Sequence, residues 1–289
     1  MKRDPNTMER LLARLSLLPV AGLATLSCAA PAETHEATSS AERPAQHEAV
    51  LATEGNIAVR AHAPDAESEY ELGYILPSRS TGLRQSPIDI MTKDVEVGRH
   101  SVVPHYGPSH EHIHNLGHTI QVDYDSGSYI EFEGEVYDLV QFHFHTPSEH
   151  RIDGMTFPME VHLVHKRREP EDSVPHYLVI GALYKCGEKN RFLQQFIDTV
   201  PTQEHTDVEL ADTMIHVNEV LEEELDHFYH YTGSLTTPPF TETVDWMVLE
   251  RIFEASPEQI ALINRIEGNN ARHVHALDGR TVDRQQVDG

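Results

Sequence analysis

The stretch Gln141-Phe-His-Phe-His145 alternates polar and aromatic side chains, and it is the segment from which the fold is best inferred. Alternation with a period of two is typical of a β-strand, in which residues two apart point to the same face. Gln141, His143 and His145 therefore share one face, and the two phenylalanines lie on the other. Two imidazoles at neighbouring positions of one face can bind a metal ion, and Zn²⁺ favours such nitrogen ligands.

A third ligand has to come from another strand, and the segment Glu160-Val-His-Leu-Val-His165 offers one. A metal-bound imidazole usually donates its second N–H to a carboxylate, amide or carbonyl oxygen. Strand parity places Glu160 beside His162 and Gln141 beside His143 for this purpose. Three histidines with one open position are typical of catalytic zinc sites. His-x-His alone would favour ordinary surface histidines in a chain with 21 His, but the third histidine with its own carboxylate favours a metal site.

The surrounding sequence is rich in predicted strands and poor in helices. The segment Asp125-Ser-Gly127 lies between the predicted strands His118–Tyr124 and Tyr129–Glu133 and predicts a hairpin turn that joins them. Helical signals occur in Glu188–Asp198 and after Ser256-Pro-Glu-Gln259, which has an N-cap and a capping-box glutamine. The sequence thus predicts a single, mainly β (α+β) domain with a few short surface helices. The predicted strands are His118–Tyr124, Tyr129–Glu133, Val136–His145, Met159–His165 and Tyr177–Tyr184.

Length and charge limit the classes of function. The 289 residues suffice for one large domain, and 39% hydrophobic with 24% charged residues indicate a folded, non-membrane chain. With 22 Lys plus Arg against 47 Asp plus Glu, the net charge is −25, which disfavours nucleic acid and anionic membranes as partners. Two cysteines exclude a disulfide scaffold or a cysteine-rich zinc module.

The N-terminus has the features of an export signal. Basic residues precede an uncharged stretch, Leu15 to Ala30, that ends in small residues, so we predict a signal peptide over residues 1–30 and a periplasmic or secreted protein. The stretch is shorter than the ~20 apolar residues of a spanning helix. Cys28 is a weak candidate for a lipid anchor. Residues 31–69 lack aromatic residues and predict a flexible acidic spacer, followed by the folded domain over 70–289.

Several motifs in order resemble those of the α-class carbonic anhydrases, and the resemblance is closest to the exported bacterial type. It covers roughly Tyr70 to Asp288, and it implies a central, largely antiparallel twisted β-sheet of about ten strands. The motifs are Gln85-Ser-Pro-Ile-Asp-Ile90, Asn115-Leu-Gly-His118, Gln141-Phe-His-Phe-His145, Ser148-Glu-His150, Glu160-Val-His-Leu-Val-His165, Gly233-Ser-Leu-Thr-Thr-Pro-Pro239, Trp246 and Asn270-Ala-Arg272.

The resemblance also implies an activity, the reversible hydration of CO₂ to bicarbonate and a proton by zinc-bound hydroxide. His143, His145 and His162 match the zinc ligands. Thr236 matches the residue whose hydroxyl orients the hydroxide, and Glu149 matches the buried carboxylate to which that hydroxyl donates.

The other implied roles surround this centre. Thr237 would lie beside bicarbonate, and His118 matches a proton shuttle. An apolar wall for CO₂ matches Val164, Val179, Leu235, Val244 and Trp246. Supporting positions match Gln141, Glu160, Tyr74, Tyr231, Asn270 and Arg272. The expected partners are CO₂ and bicarbonate, and the chain is expected to be a monomer or homodimer.

Two other functions fit parts of the sequence. One is a catalytically silent binding protein of the same family, although every residue of the implied centre is present. The other is a His-rich periplasmic metal buffer, in which His110-Glu-His-Ile-His114 would hold ions weakly. The ratio of bound metal to protein and an assay of CO₂ hydration separate these functions.

Overall fold

The computed structural model describes residues 57–61, 82–170, 173–221 and 224–286. The predictions for the signal peptide, for Cys28 and for Tyr74 concern residues outside these ranges. Among the helices of the described residues, none is long and apolar enough to cross a membrane.

Strands dominate the described residues, and helices are short. The helices are α1 (Arg191–Gln194), α2 (Asn218–Leu221) and α3 (Pro257–Glu267), with a 3-10 turn at Thr92–Asp94. The strands are β1 (Ile57–Ala61), β2 (Asp89–Ile90), β3 (Glu96–Gly98), β4 (Val102–His105), β5 (Ser109–Asn115), β6 (Ile120–Asp123), β7 (Tyr129–Phe132), β8 (Glu135–His145), β9 (Arg151–Ile152), β10 (Met155–Thr156), β11 (Met159–Arg167), β12 (Tyr177–Cys186), β13 (Thr206–Ile215), β14 (Phe228–Gly233), β15 (Val244–Ala255) and β16 (Asp283–Gln285).

Within the described ranges, one sheet of 13 strands organises the domain, with the order β1-β13-β5-β6-β8-β11-β12-β15-β14-β16-β3. Strand β4 pairs with β7, and β7 pairs with β8. A small second sheet has the order β10-β9-β2. Most pairs are antiparallel, but β12 pairs with β15 in parallel and β16 pairs with β3 in parallel. The sheet is therefore mixed, and it has more strands than the resemblance implied. The predicted mainly β class is confirmed.

Each predicted strand overlaps an observed one, but the predicted hairpin between the first two is wrong. Strands β6 and β7 do not pair with each other; both pair antiparallel with β8. The eleven residues of β8 give room for both, so they lie one after the other along its free edge. The turn that contains Gly127, with φ of 117°, therefore shifts the chain along β8 instead of reversing it.

Strand β1 lies inside the segment that composition predicts to be a flexible spacer. Residues Ile57–Ala61 pair antiparallel with β13 at an end of the main sheet. Ile57 and Val59 are β-branched, which favours a strand, and an edge strand needs hydrogen bonds to one neighbour only. The structure differs from the spacer prediction at these five residues.

The two helix predictions fare differently. Helix α3 begins after Ser256, whose side chain accepts from the N–H of Gln259 in a capping box, and this prediction is confirmed. Helix α1 covers only four residues of the predicted helical segment. Its neighbourhood still buries Phe192 and Phe196, whose ring centroids lie 5.2 and 5.5 Å from that of Phe142.

The sheet separates two apolar clusters. Phe142 and Phe144 belong to the larger cluster, which the helices cover. Val164 and Trp246 belong to the smaller cluster, together with short strands and loops. Because side chains alternate along β8, His143 and His145 point to the side opposite to the phenylalanines.

Candidate metal and catalytic site

Strands β8 and β11 bring three histidines together on one face of the sheet. His143 and His162 are directly opposite each other in the antiparallel register, and His145 lies two residues along β8. The ring centroids are 5.1 Å apart for His143 and His145, 5.3 Å for His143 and His162, and 4.6 Å for His145 and His162. One nitrogen from each ring lies within 4.8 Å of the others. The three rings thus converge on a single point.

Two of these rings have one nitrogen occupied and one free. His143 Nδ1 lies 2.9 Å from Gln141 Oε1, and His162 Nε2 lies 2.9 Å from Glu160 Oε1. Each of these nitrogens donates its N–H, so Nε2 of His143 and Nδ1 of His162 keep their lone pairs. An acceptor that fixes the tautomer in this way is the usual support for a metal-binding imidazole.

His145 provides the test of whether zinc fits. Both of its ring nitrogens are buried and have no hydrogen-bond partner of normal geometry. Burial lowers the pKa of His145 to about 4, and it also lowers the pKa of His143 and of His162. The site therefore presents three neutral imidazoles with free lone pairs. This is the donor set that Zn²⁺ requires, and zinc fits the residues present.

Glu149 lies next to His145 and His162 and is buried in the protein. Its Oε1 accepts the backbone N–H of Arg272 at 2.8 Å, and its Oε2 lies 3.5 Å from Nε2 of His145. Burial raises the pKa of Glu149 to about 7, and His162 and the hydroxyl of Thr236 offset part of the rise. Thr236 is itself buried, and the half-buried Thr237 follows it.

Glu160 anchors a network that the sequence predicted only in part. Its Oε1 accepts from His162 and also from Nδ1 of His150 at 2.7 Å, and its Oε2 accepts the backbone N–H groups of Glu149 and His150. Burial raises the pKa of Glu160, but the His150 and His162 interactions outweigh it and hold this pKa well below its usual range. Gly181 is required here, since a Cβ would lie 2.9 Å from Glu160 Oε1.

His150 and Ser86 belong to this network, and sequence reasoning assigned no role to either. His150 Nε2 lies 2.6 Å from the hydroxyl oxygen of Tyr231, and that hydroxyl lies 2.9 Å from Ser86 Oγ. The chain Glu160–His150–Tyr231–Ser86 therefore extends away from His162. His150 is visible in the Ser148-Glu-His150 motif, but the partner that it contacts depends on the fold.

The predicted apolar wall lies beside the histidines. Val164 and Val179 are paired across β11 and β12, and Val179 is in turn opposite Trp246 on β15. The ring centroids of Trp246 and His162 are 4.8 Å apart. Val244 is buried in the same cluster, and Leu235 packs against it. The wall and the imidazoles therefore share one boundary.

His118 and Asn270 lie at the end of β8. The Nδ2 atom of Asn270 donates to the backbone carbonyls of His118 and Phe144, at 2.9 and 3.1 Å. The ring of His118 is half-buried, with Nδ1 3.1 Å from the carbonyl oxygen of Leu116. Burial lowers the pKa of His118. The charge of His118 in turn lowers the pKa of His143. Asn270 thus joins His118 to the strand that carries two of the three histidines.

Arg272 links this end of the site to the loop around Ser86. Its guanidinium donates to the backbone carbonyl of Ser86 at 2.6 Å and to Gln85 Oε1 at 2.9 Å.

A cavity of about 680 Å³ lies elsewhere in the molecule. Its lining includes Lys189, Arg251 and Glu254 and none of the candidate site residues.

Comparison with known proteins agrees with this geometry. The family model for eukaryotic-type carbonic anhydrase matches residues 74–286. A carbonic anhydrase of Nostoc sp. is 38% identical over 205 residues, which are 70% of this chain and 75% of that protein. One of Neisseria gonorrhoeae is also 38% identical over 205 residues, with 70% and 78% covered.

A solved structure gives the same result. The α-carbonic anhydrase of Thermovibrio ammonificans, in complex with the inhibitor sulfanilamide, superposes with a TM-score of 0.64 at 34% identity. The match covers 70% of this chain and 87% of that one.

Proposed function

Because the chain belongs to the eukaryotic-type, or α-class, carbonic anhydrases, we propose that it catalyses the reversible hydration of CO₂ to bicarbonate and a proton with zinc as its cofactor. The observation that carries the proposal is the convergence of His143, His145 and His162, each neutral and each with a free nitrogen. Zinc held there would supply Lewis-acid activation of water at neutral pH, the established chemistry of this family.

Glu149 and Thr236 orient the attacking group. Glu149 is fixed by the Arg272 N–H, and its carboxylate interacts with the Thr236 hydroxyl. A hydroxyl that donates to a carboxylate must accept at its own lone pairs, so Thr236 selects one orientation of a water or hydroxide beside it. Positioning of this kind lowers the entropic cost of attack on CO₂.

Val164, Val179 and Trp246 give CO₂ an apolar surface next to the reacting group. CO₂ has no charge and little polarity, so it loses little by leaving water for such a wall. Bicarbonate is charged and does lose hydration there, which favours its exchange for water. Thr237 is half-buried and follows Thr236 in the chain, and it would hydrogen-bond bicarbonate before the product leaves.

His118 carries the proton to solvent. Every hydration cycle releases one proton, and a half-buried imidazole can accept and return it near neutral pH. The hydrogen bond of Asn270 to the His118 carbonyl holds this position close to β8.

The direct test is CO₂ hydration by purified protein, measured by stopped flow before and after a chelator removes metal. We expect activity to disappear with the metal and to return with one Zn²⁺ per His143/His145/His162 site. A protein that binds zinc there but hydrates no CO₂ would instead be a silent binding member of the family. Several weakly held ions without turnover would indicate the metal buffer.

We also propose that the protein is exported, on the basis of the basic and apolar N-terminal sequence. Fractionation of expressing bacteria should place it in the periplasm or medium, and N-terminal sequencing should find a start near residue 31. Retention in the cytoplasm with an intact N-terminus would contradict this proposal.

A further inference from the structure

A second cluster of histidines and carboxylates lies at the far side of the sheet. His230 is on β14, Asp283 is on β16, and His100 follows β3. The order β14-β16-β3 brings the three together, with His230 directly opposite Asp283 in the antiparallel register. Segments distant in sequence thus supply one compact group.

This cluster is on the opposite face of the sheet from the candidate catalytic site. Tyr231 points towards that site, where it contacts His150. His230 precedes Tyr231 on the same strand, so its side chain points to the other face. Strand β14 is three positions from β11 in the sheet order, which is roughly 14 Å at the usual strand spacing. The two groups are therefore separate sites.

The inner atoms of the cluster have the arrangement of metal ligands. His100 Nε2 lies 2.7 Å from Asp283 Oδ1, and His230 Nδ1 lies 3.2 Å from Asp283 Oδ2. The two ring centroids are 4.5 Å apart. One ligand atom from each of the three residues lies within 4.8 Å of the others, which is the same limit that His143, His145 and His162 meet.

Carboxylates also lie near the outer nitrogens, on the side where a metal-binding histidine usually has its supporting partner. His100 Nδ1 lies 3.3 Å from Glu133 Oε1, and His230 Nε2 lies 3.5 Å from Asp245 Oδ1. Each imidazole thus directs one nitrogen inwards and the other towards a carboxylate. Gln141 and Glu160 support His143 and His162 from a shorter distance, with hydrogen bonds of 2.9 Å.

The packing around the cluster restricts its solvation. The side chains of His100 and His230 are 14% and 13% exposed, and Phe132 lies against both rings at 5.3 and 5.4 Å. Gly98 leaves the room that the carboxylate occupies, because a Cβ there would collide with Asp283 Oδ1. Both rings keep some exposure to solvent.

We propose that His100, His230 and Asp283 form a second metal site, which binds a divalent transition-metal ion of the zinc class and ties β16 to β14 and to the segment after β3. Two imidazoles and one carboxylate suit Zn²⁺, Co²⁺ or Ni²⁺ and are poorly matched to Ca²⁺ or Mg²⁺, which prefer oxygen ligands. An ion that binds only the folded chain stabilises it, so the site is structural.

The test counts metal ions on the full chain. Protein stripped with a chelator is dialysed against excess Co²⁺ or Zn²⁺, passed through a desalting column and analysed for metal. We expect two ions per chain in the wild type and one in His230→Gln and in Asp283→Asn, both with unchanged CO₂ hydration. His162→Ala should keep the second ion, whose Co²⁺ spectrum then appears alone.

His105→Gln is the matched control, because His105 lies on β4 beside a carboxylate, 3.4 Å from Glu131 Oε1, but outside the cluster. It should keep two ions. If His230→Gln does not fold, His100→Gln takes its place, because His100 lies outside the regular strands. A wild type that saturates at one ion, or a second ion that survives in His100→Gln and Asp283→Asn, would overturn the proposal and leave the cluster as an ion-paired group only. Added Zn²⁺ should also raise the Tm of His162→Ala but not of His162→Ala/Asp283→Asn.

Discussion

Two His-x-His sequences lie on the same face of the same sheet and have opposite properties. His112 and His114 on β5 share a face with Gln121 on β6, which is opposite His143 on β8. His145 is buried without a hydrogen-bond partner of normal geometry, and burial lowers its pKa to about 4. The Asp123 hydrogen bond is the largest of the influences that raise the pKa of His114 to about 9; burial opposes it, and Asp207 adds to it.

The difference teaches that neighbouring strands, and not the motif, decide what a histidine pair can do. On β8 the pair meets a third imidazole and lies next to an apolar wall, so its nitrogens are neutral and free to bind metal. On β5 each histidine meets a carboxylate: His110 and His112 reach Asp125, and His114 reaches Asp123 and Asp207. Among the residues that the structure describes, no three ligand atoms that include this segment lie within 4.8 Å of one another, which weakens the case for a metal buffer at β5.

The largest expected effect comes from removing a ligand of the β8–β11 site. Loss of a supporting partner usually costs about 10–100-fold in metal affinity, so His143→Ala, His145→Ala or His162→Ala should each cost more. Metal analysis should find the zinc of this site lost and CO₂ hydration abolished. His112→Ala/His114→Ala is the matched control and should keep both.

The same experiment tests the choice of His162 as the third zinc ligand, for which His165, three residues away, is the alternative. The structure places His165 on the opposite face, with Nε2 2.9 Å from the hydroxyl oxygen of Tyr106. Full zinc occupancy of the His143/His145 site in His162→Ala would show that the third ligand is wrong.

Next in size is the loss of the orienting pair. Thr236→Ala removes the hydroxyl beside Glu149, and misplacement of a reacting group by about 1 Å can cost 10²-fold, so kcat/KM should fall by about that factor. Zinc content should not change, since Thr236 is no ligand. Thr232→Ala, an exposed threonine on β14, should behave as the wild type. An equal loss of zinc and activity in Thr236→Ala would mean that the residue acts only on the fold.

Much of this site could be predicted from the sequence because strand parity is local. The alternation over Gln141 to His145 gives the shared face and the Gln141–His143 hydrogen bond without knowledge of the sheet. Glu160 and His162 follow by the same rule. The capping box of Ser256 is local in the same sense, and the structure contains it.

Features that depend on pairing between distant segments could not be predicted in this way. The Asp125–Gly127 turn gives no sign that β8 is long enough to receive both β6 and β7, so the hairpin prediction failed. Ile57–Ala61 lies in a segment without aromatic residues, which predicted a spacer, and it forms a strand by pairing with the edge of β13. His150 needs Glu160 and Tyr231 as partners, which are 10 and 81 residues away.

A smaller effect is expected at the proton shuttle. His118→Ala should lower kcat by at least about tenfold in weak buffer, because proton transfer by a positioned side chain is lost. It should leave kcat/KM nearly unchanged, since attack on CO₂ precedes proton export, and added imidazole should restore kcat. His105→Ala is the control. A parallel fall in kcat/KM without rescue would show that His118 supports the site's structure. An unchanged kcat, even with His110, His112 and His114 also removed, would eliminate the relay.

The smallest expected effect is the contribution of His114, on β5, to the free energy of unfolding. The folded pKa of His114, about 9, lies above the ordinary value of 6.5, so protonation of His114 stabilises the fold. That contribution is complete below pH 6.5, declines as the pH rises and is gone above about pH 9. The side chain is 25% exposed and half enclosed, so after allowance for solvent screening we expect only about 1 kcal/mol.

His114→Gln should remove this pH dependence, while His105→Gln should not. Urea unfolding of the three proteins at pH 6, 7.5 and 9.5 measures it as the change in the free energy of unfolding. The wild type should exceed His114→Gln most at pH 6 and least at pH 9.5, because Asp123 and Asp207 attract only the protonated ring. A difference that stays constant from pH 6 to pH 9.5 would mean that His114 contributes by packing alone. The contrast between the two histidine pairs would then rest on the burial of His145 and not on the charge of His114.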